Sequence, residues 1–331
     1  MPDYKGIQGT AVQNFAGDPA NPIIGQVWYN SSTNSFKYFA EYPTGVWATG
    51  GNMNTARGGA GGAGTQTAAL GFGGASPPLV GNTESYNGSA WTEVNDLNTA
   101  RASLGGAGTN TAALGFGGSA APGRVGNTET WNGTSWTEVN DLNTVRTSLA
   151  GAGTNTSALA FAGNIVTPAN VGNTESWNGT SWTELNDLNT VREELAGCGA
   201  SNTAALAFGG LIPTGPTAYV GNTESWNGTS WTELNDLNTA RRALGGTGIQ
   251  TAALAFGGQA IPNSFARVAN TESWNGTSWT EVNDLNIIRS NPGGAGTNTV
   301  GLAFGGLNSL TAATEEWNAP GTATEIITTT T

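Results

Sequence analysis

Apolar and polar positions along this chain alternate rather than cycle. In Thr111-Ala-Ala-Leu114-Gly-Phe116 the large apolar side chains fall two residues apart, and Thr128-Glu-Thr-Trp131 alternates in polarity. A period of two is the signature of a strand with one buried face, whereas no stretch shows the 3.6-residue period of an amphipathic helix. Dense glycine and β-branched residues argue against helix as well. The pattern predicts four short strands in succession: Leu104 to Thr109, Thr111 to Gly117, Thr128 to Trp131 and Trp136 to Val139. Asn132-Gly133 between the last two is a strong hairpin signal, because both central residues of a type I′ turn need positive φ.

This four-strand unit repeats. Arg57, Arg101, Arg146, Arg192, Arg241 and Arg289 recur about every 45 residues, each ten residues after a Trp. Each Arg precedes a Gly/Ala-rich strand, then a strand ending in a glycine pair, then a variable loop and the Asn-Gly hairpin. Four-stranded units of this length fit the blades of a propeller. A single blade cannot bury both faces, so stability must come from its neighbours, and ring closure hides edges that would otherwise pair with other chains. The small residues of the first strand suit a crowded central axis. Leu114, Phe116, Trp131 and Trp136 and their equivalents are the expected core between blades.

An Arg before the first strand, Gly-Gly ending the second, and a Tyr or Trp spaced from a later Trp together resemble the kelch repeat over roughly residues 40 to 327. The third unit departs from it, with Ala162-Gly163 in place of the glycine pair. The resemblance implies an all-β, kelch-type β-propeller with four-stranded antiparallel blades. Seven blades is the preferred reading and six the alternative. Tyr42 to Trp47 has the same spacing as Trp131 to Trp136, so residues 23–50 read as a partial first blade ahead of the six repeats. Its missing strand is sought at a terminus, near Gly9 to Phe15, and Thr322 onward is expected to complete the sixth repeat. On this reading residues 1–22 are an arm or linker and 23–331 the propeller.

Composition narrows the chemistry. The 331 residues include 51 Gly, without the triplet period of collagen. Only 10% are charged, and 23 acids against 11 bases give a net charge of −12. A nucleic-acid groove needs a basic stripe to replace counterions, so nucleic acid is not an expected partner. With no histidine, Ser-His-Asp and Cys-His catalysis and imidazole-ligated metals are excluded; so is the copper site of the galactose-oxidase type of kelch enzyme. The single Cys198 sits in a slot that is Ala107, Ala152 or Ala295 elsewhere, and reads as a small buried side chain. No enzyme activity, cofactor or metal is expected. The first residues lack the pattern of a signal peptide, and no stretch has the length of a membrane-spanning helix.

Near-identical repeats place the same residue on a ring, whereas a specific site needs different residues converging. The loops between second and third strands are what differ, and they carry Leu79, Arg124, Ile165, Tyr219, Phe265 and Arg267 as candidate binding residues. The repeated acids, such as Glu129, Glu138 and Asp141, lie on different strands and form no calcium loop. The Glu after Asn-Thr, or the Asp, is expected to pair with the repeated Arg of its own or the next blade. Asn-Gly-Thr/Ser matches a glycosylation acceptor, but the hairpin turn already explains it.

Gly25-Gln-Val-Trp28-Tyr29-Asn30, followed by Asn34-Ser-Phe36-Lys37, resembles a short hairpin motif of bacteriophage tail and fibre proteins. The glycine-rich, nearly lysine-free kelch array is similar to virion proteins of marine tailed phages. That resemblance implies a non-enzymatic virion appendage, on a tail fibre or capsid surface, made in the host cytoplasm and recognising a host-surface glycan or envelope protein. Other virion proteins, and a second copy of the chain, are further expected partners. A purely structural virion component and a free lectin-like propeller are the alternatives.

Overall fold

The computed structural model describes residues 12–42, 45–166, 169–212, 219–260, 266–307 and 310–326. It is all-β: no helix occurs among these residues. Trp47–Asn318 forms one compact unit; the other combines Met1–Val46 with Ala319–Thr331.

In the larger unit each repeat folds into a four-stranded antiparallel sheet, in a propeller-like arrangement. The second repeat supplies Gly105–Gly108, Ala113–Phe116, Thr128–Trp131 and Trp136–Val139, within a residue or two of the strands expected. Its hairpin brings Trp131 opposite Trp136. The Asn132 side chain locks the turn by accepting the N–H groups of Thr134 and Ser135 at 2.9 Å each.

The six sheets are joined by backbone bonds. The residue two after each repeated Arg donates its N–H to its counterpart in a neighbouring repeat: Ser103 to Gly59, Ser148 to Ser103, Glu194 to Ser148, Ala243 to Glu194 and Asn291 to Ala243. Gly59 then donates to Asn291, and the series returns to its start. A second series runs from each glycine pair to the next repeat's Arg carbonyl, from Gly74 to Arg101 and finally from Gly306 back to Arg57. First strands meet so closely that a Cβ on Gly106 would lie 2.8 Å from the Gly62 carbonyl oxygen. The crowding inferred from the small residues is therefore real. The glycine pair is needed for backbone conformation: Gly117 and Gly118 have φ of 63° and 107°, and Ala162 holds the first of these positions at 61°. One methyl in the left-handed region is tolerated there, at a cost of order 1 kcal/mol.

Packing between sheets is repetitive. Each fourth-strand Trp packs at a steep angle against a second-strand Phe of the preceding repeat, as Trp136 does against Phe72 at 4.9 Å. Its indole N–H reaches that repeat's third strand, Trp136 bonding Thr83 Oγ1 at 3.0 Å. Each repeated Arg is fully buried and paired with the third-strand Glu of its own sheet, from Arg57–Glu84 to Arg289–Glu315. This resolves the pairing left open by the sequence. The same carboxylate captures the linker arriving from the preceding repeat: Glu175 accepts N–H bonds from Asn143 (2.7 Å) and Thr144 (3.2 Å) and from the Asn143 amide (2.9 Å). The Asp instead accepts the N–H of its third-strand Thr, as Asp141 does from Thr128. Cys198 is free and buried, with burial pushing its thiol pKa up.

One expected pairing is corrected. Thr322 onward does not complete the sixth repeat. Its sheet comprises Gly293–Gly296, Val300–Phe304, Thr314–Asn318 and, from the other end of the sequence, Val46–Thr49. Trp47 supplies the missing fourth-strand Trp, 5.5 Å from Trp317 and 5.3 Å from Phe256, and bonds Thr271 Oγ1 at 3.1 Å. Residues 46–49 are therefore not available to a seventh blade with Val27–Asn30 and Ser35–Tyr42.

The smaller unit is a four-stranded sheet ordered Gln13–Phe15, Val27–Asn30, Ser35–Tyr42, Gly321–Ile326. The first pair is parallel and the others antiparallel. Asp18 organises it, accepting bonds from the Trp28 indole (3.2 Å), the Asn30 amide (2.7 Å) and Lys37 (3.0 Å). The Asn30 and Lys37 bonds hold its carboxyl below the ordinary value.

Candidate functional site

Chain direction places the loops between second and third strands at the same end of each sheet as the linker carrying the repeated Arg. The two residues after that Arg occupy the same end. In the first, second, third and sixth repeats these are small or neutral: Gly58-Gly59, Ala102-Ser103, Thr147-Ser148 and Ser290-Asn291. In the fourth and fifth they are Glu193-Glu194 and Arg242-Ala243. Backbone bonds already hold this slot, so its side chain is free to vary without disturbing the frame.

The charged side chains make contact across repeats. Arg242 Nη1 lies 3.3 Å from Glu194 Oε2, its Nε donates to Gln259 Oε1 at 3.0 Å, and its guanidinium stacks 5.0 Å from the ring centre of Tyr219. Arg124 Nη2 donates to Asn164 Oδ1 at 2.6 Å. Asn164 bonds Asn170 and Glu193, and Asn170 reaches the Leu211 carbonyl at 3.0 Å. Loops of the second to fifth repeats thus join one polar network. Glu194 also lines an axial cavity of about 120 Å³ with Ser103, Ser148, Ala243 and Asn291.

Burial raises the pKa of both glutamates, reinforced at Glu193 by the neighbouring Glu194 and opposed at Glu194 by Arg242. A raised folded-state pKa means that stability falls as pH rises from the ordinary glutamate value of 4.5 through the folded one. Glu193→Gln is therefore expected to raise the melting temperature at pH 7, with the gain vanishing below pH 4.5. Melting curves between pH 3.5 and 8 test this. Equal melting temperatures at pH 7 would show that Glu193 is not strained.

Of the residues expected to form the site, Arg124 and Tyr219 are drawn into the network. Arg267 lies beside it, opposite Gln259 in a small sheet. Tyr219 is only 7% exposed, beneath Arg242. Ile165 is half-buried in a short hairpin with Ala169–Asn170, and Leu79 is half-buried and pairs with Ala75 inside its own loop. Phe265 lies outside the described residues.

Glu193, Glu194 and Arg242 escaped the sequence reading because they change no loop length. Subtracting the repeat would have found them. Six of the bases are the framework Arg, and Lys5 and Lys37 precede the repeats, leaving Arg124, Arg242 and Arg267. Among repeat acids outside the framework, Glu193 and Glu194 stand out in the same way, with Glu316 hydrogen bonded to Tyr86 elsewhere. Among the described residues, no group of three or more Cys, Asp and Glu is placed to hold a metal ion. The arrangement offers hydrogen-bond donors and acceptors side by side, suited to recognition. No protein-family model matches this chain, and no curated protein matches it.

Proposed function

We propose that this chain is a kelch-type, six-bladed propeller acting as a non-catalytic recognition module of a virion, whose loop-bearing face contacts the host surface. The observation carrying the reading is where the repeats cease to be alike. A framework of near-identical sheets holds its own charges in buried pairs, while the unrepeated Arg124, Glu193, Glu194, Arg242 and Arg267 collect on one face. A scaffold that merely filled space would have no need of such a sector. The hairpin Val27–Asn30 and Ser35–Tyr42, with its Ser-Ser-Thr-Asn turn held by the Asn30 side chain, supports the virion assignment through its likeness to tail-fibre hairpins.

Labelled protein added to intact candidate host cells tests the reading. Binding is expected, and shortening the loops Leu211 to Val220 and Gln259 to Val268 is expected to abolish it. A well-folded protein that binds no host cell would overturn host recognition in favour of a structural role in the particle.

A further inference from the structure

The same sector carries hydrogen-bonding groups that the protein leaves unanswered. Tyr219 is more than nine-tenths buried, yet its hydroxyl has no partner. Thr147 Oγ1, in the slot equivalent to Glu193, and Arg267 Nε, opposite Gln259, are buried without partners as well. Five framework arginines also leave a buried Nε unpartnered, a repeated feature of the sheets. The Tyr219 and Thr147 hydroxyls, in contrast, belong to this sector alone, and leaving a buried hydroxyl unpaired is unfavourable. Around them stand two carboxylates and three guanidiniums, with Glu194 already paired to Arg242 and Arg124 bonded to the Asn164 side chain.

We infer that the network of Glu193, Glu194, Tyr219, Arg242 and Gln259 is a binding site for a neutral glycan. This rests on the recognition role proposed above and names its ligand class. A sugar hydroxyl donates and accepts at once, so it can accept from the Tyr219 hydroxyl while donating to a glutamate. An anionic glycan is disfavoured by the adjacent glutamates and by the chain's net charge of −12. An added peptide strand is disfavoured because Gln259–Ala260 is already paired on both sides, by Arg241–Arg242 and Ala266–Arg267.

The probe is a printed array of neutral glycans terminating in glucose, galactose, mannose or N-acetylglucosamine, beside sialylated, sulfated and uronate-bearing ones. The full chain is expected to bind at least one neutral glycan. Tyr219→Phe and Glu193→Gln should each weaken that binding at least tenfold. Tyr219→Phe should not lower the melting temperature and is expected to raise it slightly, because the buried hydroxyl it removes bonds nothing in the protein; a loss of binding without a lowered melt excludes a folding defect. Binding confined to anionic glycans, or neutral-glycan binding indifferent to both substitutions, would overturn the inference. Loop-dependent cell binding that protease treatment of the cells abolishes, with a blank array, would overturn it too while leaving host recognition standing. Loss of cell binding altogether would remove the recognition role itself.

Discussion

Residues 52–318 are expected not to melt as a cooperative unit, whereas residues 45–318 should melt close to the full chain. The difference between the two pieces is one short strand. Without Val46–Thr49 the third strand of the sixth repeat becomes an open edge, the kind of surface that pairs with other chains. Phe256 and Trp317 lose the Trp47 ring, and Thr271 Oγ1 loses its indole donor. The Asn286 amide loses the Trp47 carbonyl at 2.8 Å. Truncating a buried Trp alone costs ~3–5 kcal/mol, and a domain's entire stability is about 5–15 kcal/mol. Each repeat leans on the next, so the loss of one strand weakens its neighbours as well. Calorimetry and gel filtration of the two pieces decide the matter. A 52–318 piece that melts like 45–318 and stays monomeric would show that the sixth sheet does not depend on this strand.

Replacing Glu175 with Ala is expected to cost ~3–5 kcal/mol, the range for breaking a buried ion pair from one side. The carboxylate lies 3.1 Å from Arg146 Nη2, and both side chains are fully buried. Burial already lowers the Arg146 pKa, with Glu175 opposing that shift, so removing Glu175 strands a buried guanidinium. It also releases the Asn143 and Thr144 N–H groups that fix the incoming linker. Glu184, nine residues on, is exposed and accepts a bond from the Asn173 amide at 2.6 Å. Glu184→Ala is expected to change stability by about 0.5 kcal/mol. Urea titrations of the two variants should show a large fall in midpoint for the first and almost none for the second. Similar midpoints would mean that the buried pair carries no special weight.

Strands within a repeat were legible because they are fixed locally. The Gly-Gly pair, the Asn-Gly turn and the alternation around Leu114 and Phe116 all act within a few residues. The partner of Val46–Thr49 was not legible. Tyr42 to Trp47 copies the spacing of Trp131 to Trp136, and spacing cannot say whether Trp47 pairs with the aromatic just before it or with Trp317 at the far end of the chain. The Arg–Glu pairing was half legible: charge and burial required a partner, but only geometry chose the Glu of the same sheet. At the candidate site, loop variation pointed to Arg124 and Tyr219. Glu193, Glu194 and Arg242 sit in a slot held by backbone bonds, where no change of length or turn residue signals a change of role.

The seam at Val46–Thr49 also says where the polypeptide could be recut. Thr314–Asn318 and Val46–Thr49 lie side by side as the other repeats' third and fourth strands do, with Trp317 and Trp47 as far apart as Trp131 and Trp136, 5.5 Å in both cases. The break between Asn318 and Val46 therefore stands where every other repeat has its Asn-Gly hairpin. A Gly-Thr bridge, with Val46 in the place of Ser135, would restore it. New ends opened at Asn132-Gly133 or Asn227-Gly228 would then give circular permutants with the same six sheets, for which the order of the gene is a convention rather than a constraint.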